Sequence, residues 1–166
     1  MIPLYKQMKV LAKRHKGELN METSNFQFGT PKLLSVKYKL NENFTPPETM
    51  PLNLSSSTTV KRAKDKRVAQ VTLAIKVFDE EKFSESPFFI EIVMQGNFIW
   101  SEDLEPKAKK LLSSNAPAIL LSYMRPYISQ LTIFSGYPPL ILPLLNFTND
   151  NPVTEVVENI VQDDFE

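Results

Sequence analysis

The sequence predicts an α+β domain: a four-stranded antiparallel sheet followed by a long helix and a short C-terminal helix. Two observations support this fold class. Four segments with a two-residue apolar period are joined by loops too short for crossover helices, so neighbouring strands are expected to run antiparallel. Helical patterns begin only after the fourth strand, which is typical of a domain whose helices pack on one face of its sheet.

The four strands are predicted from their alternation of apolar and polar residues. Residues 34–40 and 71–77 alternate strictly, as half-buried strands do, and residues 50–60 form a weaker strand rich in Ser and Thr. Residues 88–100 form the last strand, which Gly96 interrupts. A glycine inside a strand indicates a bulge or a close approach of another segment.

A long helix is predicted over residues 116–134. Asn115 is a suitable N-cap, Pro117 fits the first turn, and Gly136 is a natural C-terminal stop. Pro126 lies inside this helix and predicts a kink, because proline removes one backbone hydrogen bond.

The long helix is apolar over most of its circumference. One apolar stripe repeats every four residues, at Ile119, Tyr123, Tyr127 and Leu131. A helix of this kind is expected to bury two sides, one against the sheet and one against a second subunit. The flanking segments are more polar, and short helices are predicted there over residues 102–114 and 153–161.

An apolar segment over residues 137–147 follows the long helix and is not predicted to be helical. Pro138, Pro139 and Pro143 interrupt it, and each proline would remove a helical hydrogen bond and clash with the preceding turn. Segments that connect secondary-structure elements are usually polar and exposed to solvent, whereas this one is apolar. The segment is therefore expected either to lie buried along the domain or to line a surface that binds an apolar partner.

Charge is balanced over the whole chain but unevenly distributed along it. Lys and Arg number 19, and Asp and Glu also number 19. The basic cluster at residues 61–67 contains no Gly or Pro, so we interpret it as a long, solvated hairpin end. The predicted organisation is a basic N-terminal arm (1–24), one domain (25–162) and an acidic tail (163–166).

Composition argues against several classes of function. The basic clusters lack the aromatic or groove-reading context of a nucleic-acid site, and no apolar run reaches the roughly 18 residues of a membrane helix. The chain has no cysteine, its four glycines form no phosphate loop, and its single histidine, His15, lies among Lys and Arg. We therefore predict no catalytic site, no metal and no cofactor.

Residues 115–147 resemble the SecB family of protein-export chaperones. That family has an Asn/Cys-Pro start to its long helix, a Phe/Leu-x-Tyr-x-Arg core, a Gly-x-x-Pro turn and a Pro-containing apolar loop ending in Asn-Phe. Its last strand carries a Gln-Gly-x-Phe signature, found here at Gln95, Gly96 and Phe98. The other matching positions are Asn115, Pro117, Leu120, Leu121, Tyr123, Arg125, Gly136, Pro139, Leu140, Leu142, Pro143, Asn146 and Phe147.

The resemblance implies a divergent SecB-like protein of the cytoplasm. It would act as an ATP-independent chaperone, a holdase that binds unfolded polypeptides or preproteins in hydrophobic grooves for protein export. It would be a homo-oligomer, a dimer or a tetramer, with Ile119, Tyr123, Tyr127 and Leu131 at the interface. The implied client-binding residues are Tyr137, Leu140, Ile141, Leu142, Leu144, Leu145 and Phe147 from the apolar segment, with Val36, Tyr38, Phe98 and Trp100 from the strands.

The resemblance also implies the export motor SecA as a partner. The best-known family members dock SecA on an acidic sheet face, whereas this chain is neutral and residues 61–67 are basic, which weighs against that partnership. Two other functions fit the same residues. The protein could be a SecB-fold module dedicated to one partner, such as a toxin–antitoxin chaperone, or a carrier that encloses small hydrophobic ligands.

Overall fold

A six-stranded sheet and one long helix form the protein in a computed structural model, which describes residues 24–148 and 152–160. The predicted basic arm, apart from Ser24, and the acidic tail lie outside the described residues, as does His15. The strands are β1 (Phe26–Phe28), β2 (Lys32–Leu40), β3 (Leu54–Ala63), β4 (Val68–Val77), β5 (Phe88–Trp100) and β6 (Val153–Val157). The α-helices are α1 (Ala108–Lys110) and α2 (Ala116–Phe134), and 3₁₀ turns span Phe83–Glu85 and Glu102–Lys107.

The strand order is β1-β5-β4-β3-β6, and β2 also pairs with β5, on the edge that β1 occupies. Four strands, β2 to β5, form the antiparallel sheet that the sequence predicted, so the α+β class is confirmed. The strand count is higher than predicted, because β1 extends the edge beside β5 and β6 adds to β3. Strand β2 is an edge strand and is exposed along most of its length, more than its alternation predicted.

The prediction of a C-terminal helix over residues 153–161 is wrong. Residues Val153–Val157 form β6, which runs parallel to β3 with Val153 opposite Thr59 and Val157 opposite Ala63. Four of its five residues are β-branched, and such side chains favour strands over helices. The open edge of β3 supplies the backbone partners that a short isolated helix would lack.

Two local predictions also differ from the structure. The hairpin end is solvated but shorter than predicted, because β3 extends to Ala63 and β4 begins at Val68, which leaves only residues 64–67 for the turn. Asp65 adopts a φ of 57° there, a conformation that Asp tolerates in place of Gly. Asn115 does not cap α2, because a π-helical turn (Leu111–Asn115) leads directly into it and Asn115 itself has helical dihedral angles.

Helix α2 continues through Pro126 as one helix and ends at Phe134. Gly136 follows with a φ of +79°, as a glycine stop requires. Its amide donates to the Ile133 carbonyl, and the Tyr137 amide donates to the Thr132 carbonyl. This pair of bonds is the Schellman motif, and it turns the chain sharply after the helix.

The hydrophobic core lies between one face of the sheet and α2. Alternate residues of β4 and β5 point to this face, where side chains from successive turns of α2 cover them. Fully buried members are Val71, Leu73, Ile75, Val77, Ile90, Ile92, Leu120, Met124 and Ile128.

Gly96 marks the closest approach of α2 to the sheet. A Cβ atom at this position would lie 3.0 Å from Leu120 Cδ2 and 3.1 Å from Phe98 Cε2. The prediction of a close approach is confirmed, and the pairing of β4 with β5 passes Gly96 without a bulge.

We expect Gly96→Val to lower the free energy of unfolding by about 1–3 kcal/mol, because the larger side chain overpacks the contact with Leu120. Urea unfolding followed by circular dichroism measures the change. Ala74→Val is the matched control, since Ala74 lies half-buried on the opposite face of β4. Equal stability of both variants would contradict the proposed crowding.

Candidate functional site

The segment of residues 137–147, here called the extended segment, runs back along α2 after the Schellman turn. The Leu140 amide donates to Thr132 Oγ1 at 2.9 Å, and Arg125 Nη2 donates to the Pro143 carbonyl at 3.1 Å. Thr132 belongs to the last helical turns and Arg125 to the middle of the helix. These bonds fix the segment beside α2 without any secondary structure of its own.

The side chains of the extended segment divide between core and solvent. Leu142 and Phe147 are each only 3% exposed and belong to the hydrophobic core. Ile141 and Leu144 are 79% and 88% exposed. The half-buried side chains Tyr137, Leu140 and Leu145 pack against the edge of the core. The segment is therefore anchored on one side and presents apolar side chains on the other.

A surface cavity of about 460 Å³ lies where the extended segment reaches the start of α2. Ile119, Ser122, Leu145 and Phe147 contribute to its lining. The cavity is open to solvent and has both polar and apolar walls, so it differs from the closed apolar pocket that a lipid carrier needs.

The four strand residues implied as client contacts lie in β2 and β5, outside the extended segment. Val36 and Tyr38 are on β2, where the Tyr38 hydroxyl donates to Ser135 Oγ at the end of α2. Phe98 is fully buried, and its ring stacks on Phe26 of β1 with centroids 5.4 Å apart. Trp100 is also buried. Phe98 and Trp100 are thus core residues in this structure, which differs from the exposed groove wall that the resemblance implied.

Trp100 holds the 3₁₀ turn Glu102–Lys107 against the end of the sheet. Its Nε1 donates to Glu105 Oε2 at 2.7 Å, and Arg62, which pairs with the same carboxylate, lies 5.2 Å from the Trp100 ring centroid. Two hydrogen bonds lower the pKa of Glu105, and the one from Trp100 has a larger effect than the one from Arg62. The cluster is a structural contact, and its groups are already paired with one another.

The predicted subunit interface on α2 is partly exposed. Tyr123 and Tyr127 are each 46% exposed, whereas Ile119 and Leu131 are half-buried against the core. Tyr123 also packs edge-on against Phe28 of β1. The structure adds exposed apolar residues at the end of the helix, Ile133 and Phe134, which the four-residue repeat did not include.

The uncovered face of the sheet is polar and carries several lysines. Lys37 and Lys76 both lie 3.3 Å from the Glu91 carboxylate, and Lys39 pairs with Glu80. The Lys39 hydrogen bond lowers the pKa of Glu80. Three lysines therefore form ion pairs with two carboxylates, Glu91 on β5 and Glu80 in the loop after β4.

Among the described residues there is no group of His, Cys, Asp and Glu side chains that could hold a metal ion. In the same residues no helix has both the length and the apolar character needed to cross a membrane.

The family model of SecB, the preprotein translocase subunit, matches residues 32–149, well over half of the chain. This chain belongs to the SecB family. The match includes β2 to β5, α2 and the extended segment, and it ends before β6.

Two relatives are similar to this chain over two thirds or more of its length. The protein-export protein SecB of Anaplasma phagocytophilum is 34% identical over 143 residues, which cover 81% of this chain and 87% of that protein. An uncharacterized protein of Methanocaldococcus jannaschii is 31% identical over 113 residues, which cover 67% of this chain and 72% of that protein.

A solved structure shares the SecB fold. The SecB-like chaperone Rv1957 of Mycobacterium tuberculosis, solved in complex with a ChAD peptide from the antitoxin HigA1, superimposes with a TM-score of 0.53. It is 16% identical, and the alignment covers 73% of this chain and 88% of that one. At this identity the likeness shows the fold alone.

Proposed function

We propose that this SecB-family protein is an ATP-independent holdase that binds unfolded polypeptides on the extended segment. The observation that carries the proposal is the exposure of Ile141 and Leu144 on a segment that Leu142 and Phe147 anchor in the core. Burial of apolar surface contributes about 25 cal/mol per Å², without regard to sequence. An exposed apolar strip therefore suits clients that share only their unfolded state.

Contacts within this chain hold the extended segment in place. Pro138, Pro139 and Pro143 restrict its backbone, and the hydrogen bonds to Thr132 and from Arg125 fix its position. A surface ordered in advance loses little conformational entropy on binding, which leaves more of the contact energy for affinity.

Family membership supports a chaperone role in the cytoplasm, without enzymatic activity or a cofactor. The relative from Anaplasma phagocytophilum carries the name protein-export protein, which supports clients that include preproteins. The best-known SecB proteins dock SecA on an acidic sheet face. Here lysines surround Glu91 on the sheet face, so we do not propose SecA as a partner.

We also propose that the protein is a homo-oligomer that assembles through α2. The exposed rings of Tyr123 and Tyr127, with Ile133 and Phe134, form an apolar strip that a monomer would leave in water. Exposed apolar strips of this kind mark protein–protein contacts.

Suppression of aggregation tests the holdase proposal. We expect the wild type to protect several unrelated unfolded proteins from aggregation, measured by light scattering. The double change Ile141→Ser and Leu144→Ser should weaken client binding at least about tenfold, since each side chain contributes about 1.5–3 kcal/mol when buried. Leu52→Ser is the control, because Leu52 is exposed in the loop between β2 and β3.

The same assay separates the holdase from a dedicated module. The Mycobacterium tuberculosis neighbour was solved with a peptide of a single antitoxin, which supports a one-partner function as the second candidate. Protection of only one client, or of none, would contradict a general holdase. Circular dichroism of the double variant shows whether its fold is retained.

A further inference from the structure

The turn between β3 and β4, residues 64–67, is here called the basic turn. Lys64, Lys66 and Arg67 make up three of its four residues, Asp65 is the fourth, and all four are exposed. Like charges this close together repel one another, and the repulsion favours binding of an opposite charge. The turn therefore carries an excess of positive charge on the surface.

Little of this charge is neutralised by the rest of the fold. Arg67 lies 3.9 Å from Glu102, and both side chains are exposed, so this ion pair adds little stability. In the part of the chain that the structure describes, no carboxylate forms an ion pair with Lys64 or Lys66. An anionic group from outside the described residues would find both lysines without a carboxylate.

A cavity of about 430 Å³ lies beside the basic turn, and Val156 of β6 contributes to its wall. Its charged lining consists of Arg62, Lys64, Asp65, Lys66, Arg67 and Glu105. Arg62 and Glu105 pair with each other, which leaves the three cations of the basic turn against the single carboxylate of Asp65. The cavity therefore has the charge and the size to hold a short acidic segment.

The last described residues of the chain are bound to the same turn. The Lys64 amide donates to the Val157 carbonyl at 2.8 Å, and Lys66 Nζ donates to Asn159 Oδ1 at 3.3 Å. Ile160, where the described chain ends, is half-buried. The chain beyond Ile160 therefore continues from a point beside the basic turn.

The acidic tail, residues 163–166, begins three residues after Ile160. It contains Asp163, Asp164 and Glu166 and no basic residue. An extended chain spans at most about 3.6 Å per residue, so Asp163 lies within about 14 Å of Asn159. A tether this short gives the tail an effective concentration in the millimolar range at the turn, which compensates for the weakness of single exposed ion pairs.

We propose that the acidic tail docks in the cavity at the basic turn of the same chain, with Asp163 and Asp164 paired to Lys64 and Lys66. The docked tail neutralises the turn and holds β6 against β3. Strand β6 depends on such a contact, because Val153 and Val156 are 63% and 70% exposed and bury little apolar surface. The proposal is independent of the holdase function.

Carbodiimide cross-linking of the full chain tests the contact, since this reagent joins a lysine amine only to a carboxylate that touches it. We expect cross-links from Lys64 and Lys66 to Asp163 and Asp164 at about 20 mM salt, identified by mass spectrometry after proteolysis. At about 1 M salt their yield should fall at least about fivefold, because charges are screened beyond about 3 Å. Absence of these cross-links at low salt overturns the proposal.

Isotope labelling shows which chain supplies the tail. Equal amounts of ¹⁵N-labelled and unlabelled protein are unfolded and refolded together before cross-linking. We expect every cross-linked peptide pair to carry a single isotope, because the tail docks on its own chain. Pairs that join the two isotopes would place the tail on a neighbouring copy and overturn the proposal.

Hydrogen exchange tests the effect of the tail on β6. In Asp163→Asn with Asp164→Asn, the amides of β6 should exchange about three- to tenfold faster than in the wild type, while those of β4 stay unchanged. Glu42→Gln with Glu48→Gln is the matched control, since it removes the same charge from the loop at the other end of β3. Unchanged exchange in the tail variant, or equal acceleration in the control, overturns the proposed hold on β6.

Discussion

Leu142→Ala is expected to lower the free energy of unfolding by about 2–5 kcal/mol, whereas Leu144→Ala should change it by less than about 0.5 kcal/mol. The two leucines are two residues apart in the same extended segment, but Leu142 is 3% exposed and Leu144 is 88% exposed. Loss of a buried leucine removes its transfer free energy and leaves a cavity. Urea unfolding of both variants measures the difference.

Client affinity should follow the opposite order from stability. Leu144→Ala removes exposed apolar surface and should weaken client binding, while Leu142→Ala should bind clients normally under conditions where it remains folded. Similar stability of the two variants would show that Leu142 does not anchor the extended segment. Similar affinity of both variants would argue against Leu144 as a client contact.

Tyr127→Glu is expected to convert the proposed oligomer into monomers. Tyr127 is 46% exposed on α2, and a carboxylate placed in an apolar subunit contact would lose its hydration without a partner. Sedimentation equilibrium measures the mass directly. Ser122→Glu is the matched control, because Ser122 is an exposed residue of the same helix that faces the extended segment.

We expect the wild type to have the mass of a dimer or a larger oligomer, against which the mass of the variant is compared. A monomeric wild type overturns the assembly proposal. An oligomeric Tyr127→Glu variant would place the contact away from the Tyr123 and Tyr127 strip.

The extended segment shows how far the sequence predicts a site. Its composition predicted a non-helical apolar run with two alternatives, burial along the domain or a binding surface. In the structure Leu142 and Phe147 are buried along the domain, whereas Ile141 and Leu144 are exposed, and the binding surface stays a prediction. Without a regular backbone period, the sequence contains no rule that assigns each side chain to one side.

The end of the chain shows why one element was predicted wrongly. The four β-branched residues of β6 favoured a strand by their local preference, but a strand also needs a partner edge. That edge belongs to β3, about 90 residues earlier in the chain, and parallel pairing gives no turn signal in the sequence. Strand β1 was missed for a related reason, because three residues are too few to show alternation.

Residue patterns alone were enough to predict the four-strand antiparallel core, the helix α2 with its glycine stop, and the resemblance to the SecB family. These features depend on the apolar period within each segment and on two glycines. Gly136 adopts a positive φ, and Gly96 leaves room for the close approach of Leu120. The folded chain was needed to show which apolar side chains are exposed, that Phe98 and Trp100 belong to the core, and that β6 completes the sheet. Exposure and edge pairing are set by contacts between distant segments, and the periodicity of a single segment does not encode them.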